Sequence, residues 1–447
     1  MPRLRAPLDE PMSELDFLLD ALGALHPRRI DLSLERIVRL LDRLDRPQDR
    51  LPPVIHVAGT NGKGSTVAFL RAILEAAGQR VHAYTSPHLV RFNERIRIGR
   101  EGGGRLADDA TLIQAISDIR RANGGEPITF FEVTTAVALH LYAAHPADFT
   151  LLEVGLGGRY DATNVIAAPF ATCIASVSHD HADFLGDNLA GIAAEKAGIL
   201  KRGAPGIIGP QDEHALAMIE VEAKAAGAPL FVNGTDYMAY AERGRLVYQD
   251  EAGLLDLPLP RLPGGHQIEN AGLAIATLRR AGVKLPEQAI EAGLVNADWP
   301  ARMQRLRSGP LVEAAPSGSD IWLDGGHNPA AGVAIATAFA EIEDRDPRPL
   351  VLISGMLTTK DPAGFFRPFA GLTRHAMTVP VPGSDAGFDP DELAAIAMEA
   401  DVPARAYPNV RAALQSLRAA DRPLRILICG SLYLAGSVLK ENGPLPE

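Results

Sequence analysis

Val54-Ile55-His56-Val57-Ala58-Gly59-Thr60-Asn61-Gly62-Lys63-Gly64-Ser65-Thr66 reads as a β-strand that runs into a glycine loop and opens a helix, and that order of elements decides the fold. Three glycines let backbone N–H groups turn toward one point, the helix over residues 67–77 adds the positive end of its dipole, and Lys63 supplies a mobile cation. Such a loop suits the phosphates of a nucleotide. The spacing departs from G-x-x-x-x-G-K-[ST], because Val57 stands at the first glycine and Gly64 where a metal-binding hydroxyl would follow the lysine. An ordinary glycine turn is the alternative.

Outward from this loop, strands and helices alternate. Apolar runs at 54–57, 149–154, 170–177 and 206–209 are separated by helical patterns at 65–77, 109–123, 133–144 and 188–200, after two amphipathic helices at 13–25 and 34–44. This predicts an α/β fold: a P-loop-containing, mainly parallel sheet with helices on both faces and ligands at the carboxyl ends of the strands. A β-rich patch (230–263) and helices at 267–281 and from 286 follow. Asp298-Trp299-Pro300-Ala301-Arg302 then breaks the pattern, since proline stops a helix. A second, smaller Rossmann-like α/β alternation has strands at 321–323, 349–354, 375–379 and 425–429. The expected domains are 1–299 and 300–447.

With 447 residues, 47% of them hydrophobic, the chain is too long for one core and too apolar to be disordered. No run of about 18 apolar residues and no signal-peptide core is present, so the expected compartment is the cytoplasm, with no membrane partner. Cys173 and Cys429 lie in apolar runs and read as core thiols. A formal net charge of −11 argues against a nucleic-acid surface, so an anionic ligand needs local cations.

Several strand ends carry chemistry. Glu153 closes a buried strand before a glycine-rich loop (Gly155 to Asn164), where a carboxylate suits a hard cation such as Mg²⁺; a capping or salt-bridged Glu is the alternative. Ser178-His179-Asp180-His181 follows another apolar strand, and one imidazole there can reach a metal; a satisfied hydrogen-bonding histidine is the alternative, favoured for any one of them alone. No thiolate or H-x-x-x-H partner supports a zinc site. The hydroxyls of Thr85-Ser86 can replace the one missing at Gly64. On local grounds Lys196 is a solvated cation at a helix end. Asp324, just after a strand, can receive a ribose hydroxyl or stabilise its own turn.

Together these segments resemble the folylpolyglutamate synthase and dihydrofolate synthase family, a branch of the Mur ligase superfamily. The likeness runs in order through Ile30-Asp31-Leu32, Gly59 to Ser65, Thr85 to Leu89, Phe131-Glu132, Glu153 to Asn164, Asp180-His181, Glu195 to Ile199, His266 to Ala271, Trp299 to Arg302, Asp324 to Pro329 and Gly430 to Tyr433. The resemblance implies an ATP-dependent ligase that adds L-glutamate to dihydropteroate and to reduced folates through an acyl phosphate. Gly59, Thr60, Asn61, Gly62, Lys63, Gly64 and Ser65 would then hold the phosphates of ATP. Ser86 and Glu153 would bind a first Mg²⁺ and His181 a second, with Lys196 carbamylated as a further metal ligand. Asn270, Arg302 and Asp324 would meet ATP from the far side of the cleft, with His327 near the acyl phosphate or the incoming glutamate. Ile30, Asp31, Leu32, Phe131, Tyr160, Asp161 and Ala162 would hold the pterin, Asp31 and Asp161 having turn-capping as their alternative.

The Asp-Ala-Thr-Asn run (161–164) resembles bifunctional bacterial members, with Tyr160 in place of the expected leucine and Gly326 where alanine is common. The substrates implied are small molecules, and a monomer is expected. A folylpolyglutamate synthase without the first activity is the nearest alternative. A muramyl ligase is disfavoured because only about 50 residues precede the loop, too few for a UDP-binding domain. A P-loop ATPase without ligase chemistry has no need of Arg302, Asp324 and His327.

Overall fold

The computed structural model describes residues 13–24, 33–180, 186, 188–443 and 445–446. Ile30, Asp31, Leu32 and His181 lie outside the described residues.

An eight-stranded sheet contains β1 (Val54–Ala58), β2 (Val81–Tyr84), β3 (Ile96–Ile98), β4 (Arg105–Leu106), β5 (Phe149–Glu153), β6 (Ala171–Ile174), β7 (Gly206–Ile208) and β8 (Leu230–Val232), in the order β4-β3-β2-β5-β1-β6-β7-β8. All five residues of β1 are buried, as a strand covered on both faces requires. β1 pairs in parallel with β5 and β6, which places Val57 opposite both Glu153 and Cys173. Only the edge pairings β2-β3 and β3-β4 are antiparallel. The chain passes outward from β1 over β5 to β2, and after β5 it crosses to β6 on the other side. β1 is therefore the switch point, where a cleft opens at the carboxyl ends.

One face of the sheet packs Ile55, Val57 and Leu151 against Phe69, Leu70 and Ile73 of helix Lys63–Ala76 and against Leu273 and Leu294 of helices Gly265–Arg280 and Glu287–Asn296. The other buries Tyr84 and Leu152 under Ile116, Ile119 and Val137 of helices Asp109–Asn123 and Phe130–Ala144. The latter helix starts three residues before the expected 133. Thr129 and Glu132 form a capping box, in which the hydroxyl receives the Glu132 N–H and the carboxylate receives the Thr129 N–H. The β-rich patch ends in a separate antiparallel sheet of β9 (Tyr237–Glu242), β10 (Arg245–Asp250) and β11 (Gly253–Pro258).

The remaining strands, β12 (Gln304–Leu306), β13 (Asp320–Leu323), β14 (Leu350–Ser354), β15 (Thr373–Thr378), β16 (Ala404–Ala406) and β17 (Arg425–Cys429), form a six-stranded sheet in the order β12-β13-β17-β14-β15-β16. It is parallel except for β12. Asp324 directly follows β13, and Gly355 directly follows β14.

The two large sheets are held together beside β2. Leu89 and Val90 pack on the core of the six-stranded unit, and the Leu89 carbonyl lies where a Cβ at Gly436 of helix Leu432–Asn442 would be. The N–H groups of Leu89, Val90 and Arg91 all donate to the Glu94 carboxylate at 2.7 to 2.9 Å, which fixes this loop.

Candidate active site

Four adjacent parallel strands, β2, β5, β1 and β6, end side by side and deliver Ser86, Glu153, the Gly59–Ser65 loop and Asp180 to one cleft. The loop leaves β1 through Gly59 (φ +146°) and Gly62 (φ +86°), conformations that L side chains rarely adopt. Helix Lys63–Ala76 begins directly after Gly62, so its first N–H groups point into the cleft. Thr60 ties the loop to the chain beyond β6: its hydroxyl donates to Ser178 O at 3.0 Å and accepts from Ser178 N–H at 3.1 Å.

Gly64 has a packing reason for lacking a hydroxyl. The indole of Trp299 lies over it, 2.7 Å from where a Cβ would stand. Gly64→Ala is expected to cost about 1 to 3 kcal/mol of stability by overpacking; a melting temperature equal to that of the wild-type protein would contradict this.

Two lysines converge on one carbonyl. Lys63 Nζ donates to Gly59 O at 3.0 Å and Thr60 O at 3.2 Å, and Lys196 Nζ donates to Gly59 O at 3.0 Å. Lys196 is 5% exposed, which corrects its local reading as a solvated helix-end residue. Helix Leu189–Ala197 ends against the glycine-rich loop, where Arg159 N–H donates to Glu195 O at 2.8 Å, so its last turn faces the cleft. Burial, and then the neighbouring Lys63 charge, push the Lys196 amine down to about 7. Lys63 is lowered as well, by burial, with Glu153 and Asp180 opposing the shift. Gly59, Lys63, Gly155, Gly157, Asp180 and Lys196 contribute to the lining of a cavity of about 20 Å³, room for one water-sized species.

Glu153 is 5% exposed, and burial raises its carboxyl above the usual range against the pull of Lys63. Its Oε2 accepts from Ser86 N–H at 3.2 Å. Among the described residues no three His, Cys, Asp or Glu side chains group as a metal site. A buried carboxylate held by the Ser86 N–H still fits Mg²⁺, which takes one or two protein oxygens and completes its shell with phosphates and water.

The 155–164 loop is built around Asp161, 4% exposed. Its Oδ2 accepts from Gly155 and Leu156 N–H at 3.0 and 2.9 Å, and its Oδ1 from Thr163 N–H at 3.0 Å and the Thr163 hydroxyl at 2.5 Å. Both oxygens thus act as a turn cap. The Phe131 ring covers Gly155, which has no room for a Cβ, and Tyr84 lies 6.1 Å from that ring. Tyr160 is 46% exposed beside the buried Ala162.

From the six-stranded unit, Arg302 Nη1 donates to Ala301 O at 2.8 Å, with its charge near Lys63 and Glu153. Asp324 Oδ2 accepts from Met303 N–H and Oδ1 from Gly326 N–H, each at 2.7 Å, so it braces its own turn. His327 Nδ1 donates to Gly325 O at 2.8 Å, leaving Nε2 3.5 Å from Asp180 Oδ2. Asn270 departs from its expected place. Helix Gly265–Arg280 packs on the phosphate-loop side, and Asn270 Oδ1 lies where a Gly62 side chain would be, so it approaches from the same side of the cleft.

Three contacts escaped the sequence reading. Asn61 and Asn328 exchange amide hydrogen bonds at 3.1 Å, Asn328 Nδ2 donates to Asp180 Oδ2 at 3.0 Å, and Lys360 Nζ donates to Asp180 Oδ1 at 2.6 Å. Lys360 follows the carboxyl end of β14, the signal that singled out the other residues. Asn328 is the N-cap of helix Pro329–Arg345, its Oδ1 accepting from Ala331 N–H at 2.9 Å.

Residues 57–278 match the Mur ligase middle domain. A dihydrofolate synthase/folylpolyglutamate synthase of Escherichia coli K12 is 34% identical over 434 residues, 96% of this chain and 95% of the relative. The chain belongs to the dihydrofolate synthase/folylpolyglutamate synthase family. Its fold is similar to that of E. coli FolC solved with DHPP and ADP, with a TM-score of 0.85 at 31% identity over 98% of each chain. The bifunctional folylpolyglutamate synthase/dihydrofolate synthase of Yersinia pestis CO92, complexed with AMPPNP and Mn ion, gives 0.84 at 32%, covering 98% of this chain and 99% of that one. In this chain, Ser86, Glu153 and the phosphate loop belong to the eight-stranded unit, and Arg302 and His327 to the six-stranded unit across the cleft.

Proposed function

We propose that this chain joins L-glutamate to dihydropteroate and to reduced folates at the expense of ATP. The observation that carries this is the meeting, in one cleft, of Lys63, Lys196 and Glu153 from one sheet with Arg302 and His327 from the other. A carboxylate is a poor electrophile at neutral pH, and phosphoryl transfer from ATP turns one of its oxygens into a leaving group. The glutamate amine then attacks the carbonyl carbon, and phosphate leaves. Each step brings anions together, so fixed cations do the stabilising.

The Gly59–Ser65 backbone and Lys63 hold the phosphates, Arg302 approaches them from across the cleft, and Asn270 and Asp324 border the nucleotide. His327 faces the incoming amino acid. Phe131 and Tyr160 offer flat faces to a pterin, Asp161 shapes the loop that holds Ala162, and the sequence resemblance adds Ile30, Asp31 and Leu32 to the pterin contacts. Ser86, Glu153, a carbamylated Lys196 and, by the sequence resemblance, His181 would supply oxygen and nitrogen donors for two Mg²⁺ ions, whose charge would neutralise the phosphates when bound. The enzyme works as a cytoplasmic monomer, divided near residue 300, on small molecules alone.

The test is ADP release with ATP, Mg²⁺ and glutamate, with dihydropteroate or tetrahydrofolate as acceptor. Turnover with both is expected. Activity with tetrahydrofolate alone would reduce the assignment to a folylpolyglutamate synthase. Release without any pterin would overturn it in favour of an ATPase, and dependence on a muramyl nucleotide in favour of a cell-wall ligase.

A further inference from the structure

We infer that Lys360 is a positioning residue, which acts through Asp180 to hold His327 and Asn328 of the six-stranded unit over the phosphate loop. Asp180 stands after β6 in the eight-stranded unit, yet three of its contacts come from the other sheet: Lys360 Nζ at 2.6 Å, Asn328 Nδ2 at 3.0 Å and His327 Nε2 at 3.5 Å. The side chains of Lys360 and Asp180 are only 9% and 7% exposed. A charge-assisted bond this short and dry is not the solvent-screened kind that contributes little.

Burial of both charges is costly, and what it secures here is geometry. Asn328 links the same carboxylate to Asn61 inside the phosphate loop, by a reciprocal pair of bonds at 3.1 Å. Phosphate loop, Asp180 and the start of helix Pro329–Arg345 therefore form one hydrogen-bonded cluster, with His327 Nε2 3.5 Å from its carboxylate. Lys360, from the loop beyond β14, supplies its countercharge. Each unit keeps its own apolar core without this cluster, so losing the pair loosens the cleft and leaves the fold standing.

Removal of one partner of a buried pair leaves the other charge uncompensated, whereas removal of both does not. Lys360→Met and Asp180→Asn are therefore each expected to lower turnover roughly 30-fold or more. The double variant should fall no further than about 3-fold below the worse single one, because two residues acting as a unit are not additive. Arginine at 360 should recover part of the loss, and thermal melts should show every variant folded at the assay temperature, the double variant lying closer to the wild-type protein than either single one.

The turnover arm rests on the ligase reading, so a second arm uses the ligand-free protein. Amide hydrogen exchange over residues 325–330 and 357–361 is expected to speed up in Lys360→Met while β1 and β14 keep their protection. Multiplicative effects of the two substitutions, or unchanged exchange together with wild-type turnover in Lys360→Met, would overturn the inference. Faster exchange in a protein that turns over no folate at all would sink the ligase reading and leave the positioning role intact.

Discussion

Lys63→Ala is expected to lower turnover by about 10²-fold or more, the size of effect seen when one preorganised transition-state donor is removed. In the structure the ammonium rests on Gly59 O and Thr60 O, two neutral acceptors within its own loop. These are weaker partners than a phosphate oxygen, so a nucleotide draws the side chain out without breaking an ion pair. The change has a second consequence. Burial first and the Lys63 charge second push the Lys196 amine down, so removing Lys63 lifts one of the two causes and moves that amine upward. Loss of the phosphate contact and a smaller neutral fraction of Lys196 therefore act together. Arginine is not a conservative substitute, since its rigid planar fork replaces a compact point charge on a flexible stem. Steady-state ADP release, with a thermal melt to verify the fold, measures the effect; near-normal rates would remove Lys63 from the phosphate site.

The parallel core was legible because strands buried on both faces leave continuous apolar runs. β1, β5, β6 and β17 appear in the sequence within a few residues of their structural bounds. The edge strands β3, β4, β12 and β16 were not, because two or three residues at a sheet margin carry no such run. The site divides in the same way. Residues at strand ends, such as Glu153 and Asp324, stand out because a polar group directly after an apolar run is conspicuous. Lys196 was misread on local grounds, since nothing in Ala194-Glu195-Lys196-Ala197 says that the glycine-rich loop closes over that helix end. Asn328 to Asn61 and Lys360 to Asp180 are contacts between sheets, 267 and 180 residues apart in sequence. Periodicity cannot place such pairs.

Lys196→Ala is expected to abolish turnover while ATP affinity stays within about threefold, because in the proposed role the lysine would act on the metal and the reacting carboxylate and would leave the nucleotide's own contacts in place. With its amine lowered to about 7, Lys196 is mostly ammonium at pH 6 and mostly neutral at pH 8. Only the neutral amine attacks carbon dioxide, forming a new N–C bond and releasing one proton to leave an anionic carbamate. Carbamate signal from ¹³C-bicarbonate should therefore grow between pH 6 and pH 8 and be missing in the variant.

Stability has its own sign. Between about 7 and the unfolded value of 10.5, the unfolded chain binds more protons at this lysine than the native one does, so stability at this position rises with pH across that window. Below pH 7 the full burden of a buried ammonium remains. Lys196→Met, measured free of carbon dioxide, should thus raise the melting temperature at pH 6 and raise it less at pH 9, while turnover is lost. Gain of stability with loss of activity marks a residue kept for chemistry. An active variant, or one destabilised equally at both pH values, would return Lys196 to the role of a helix-end residue.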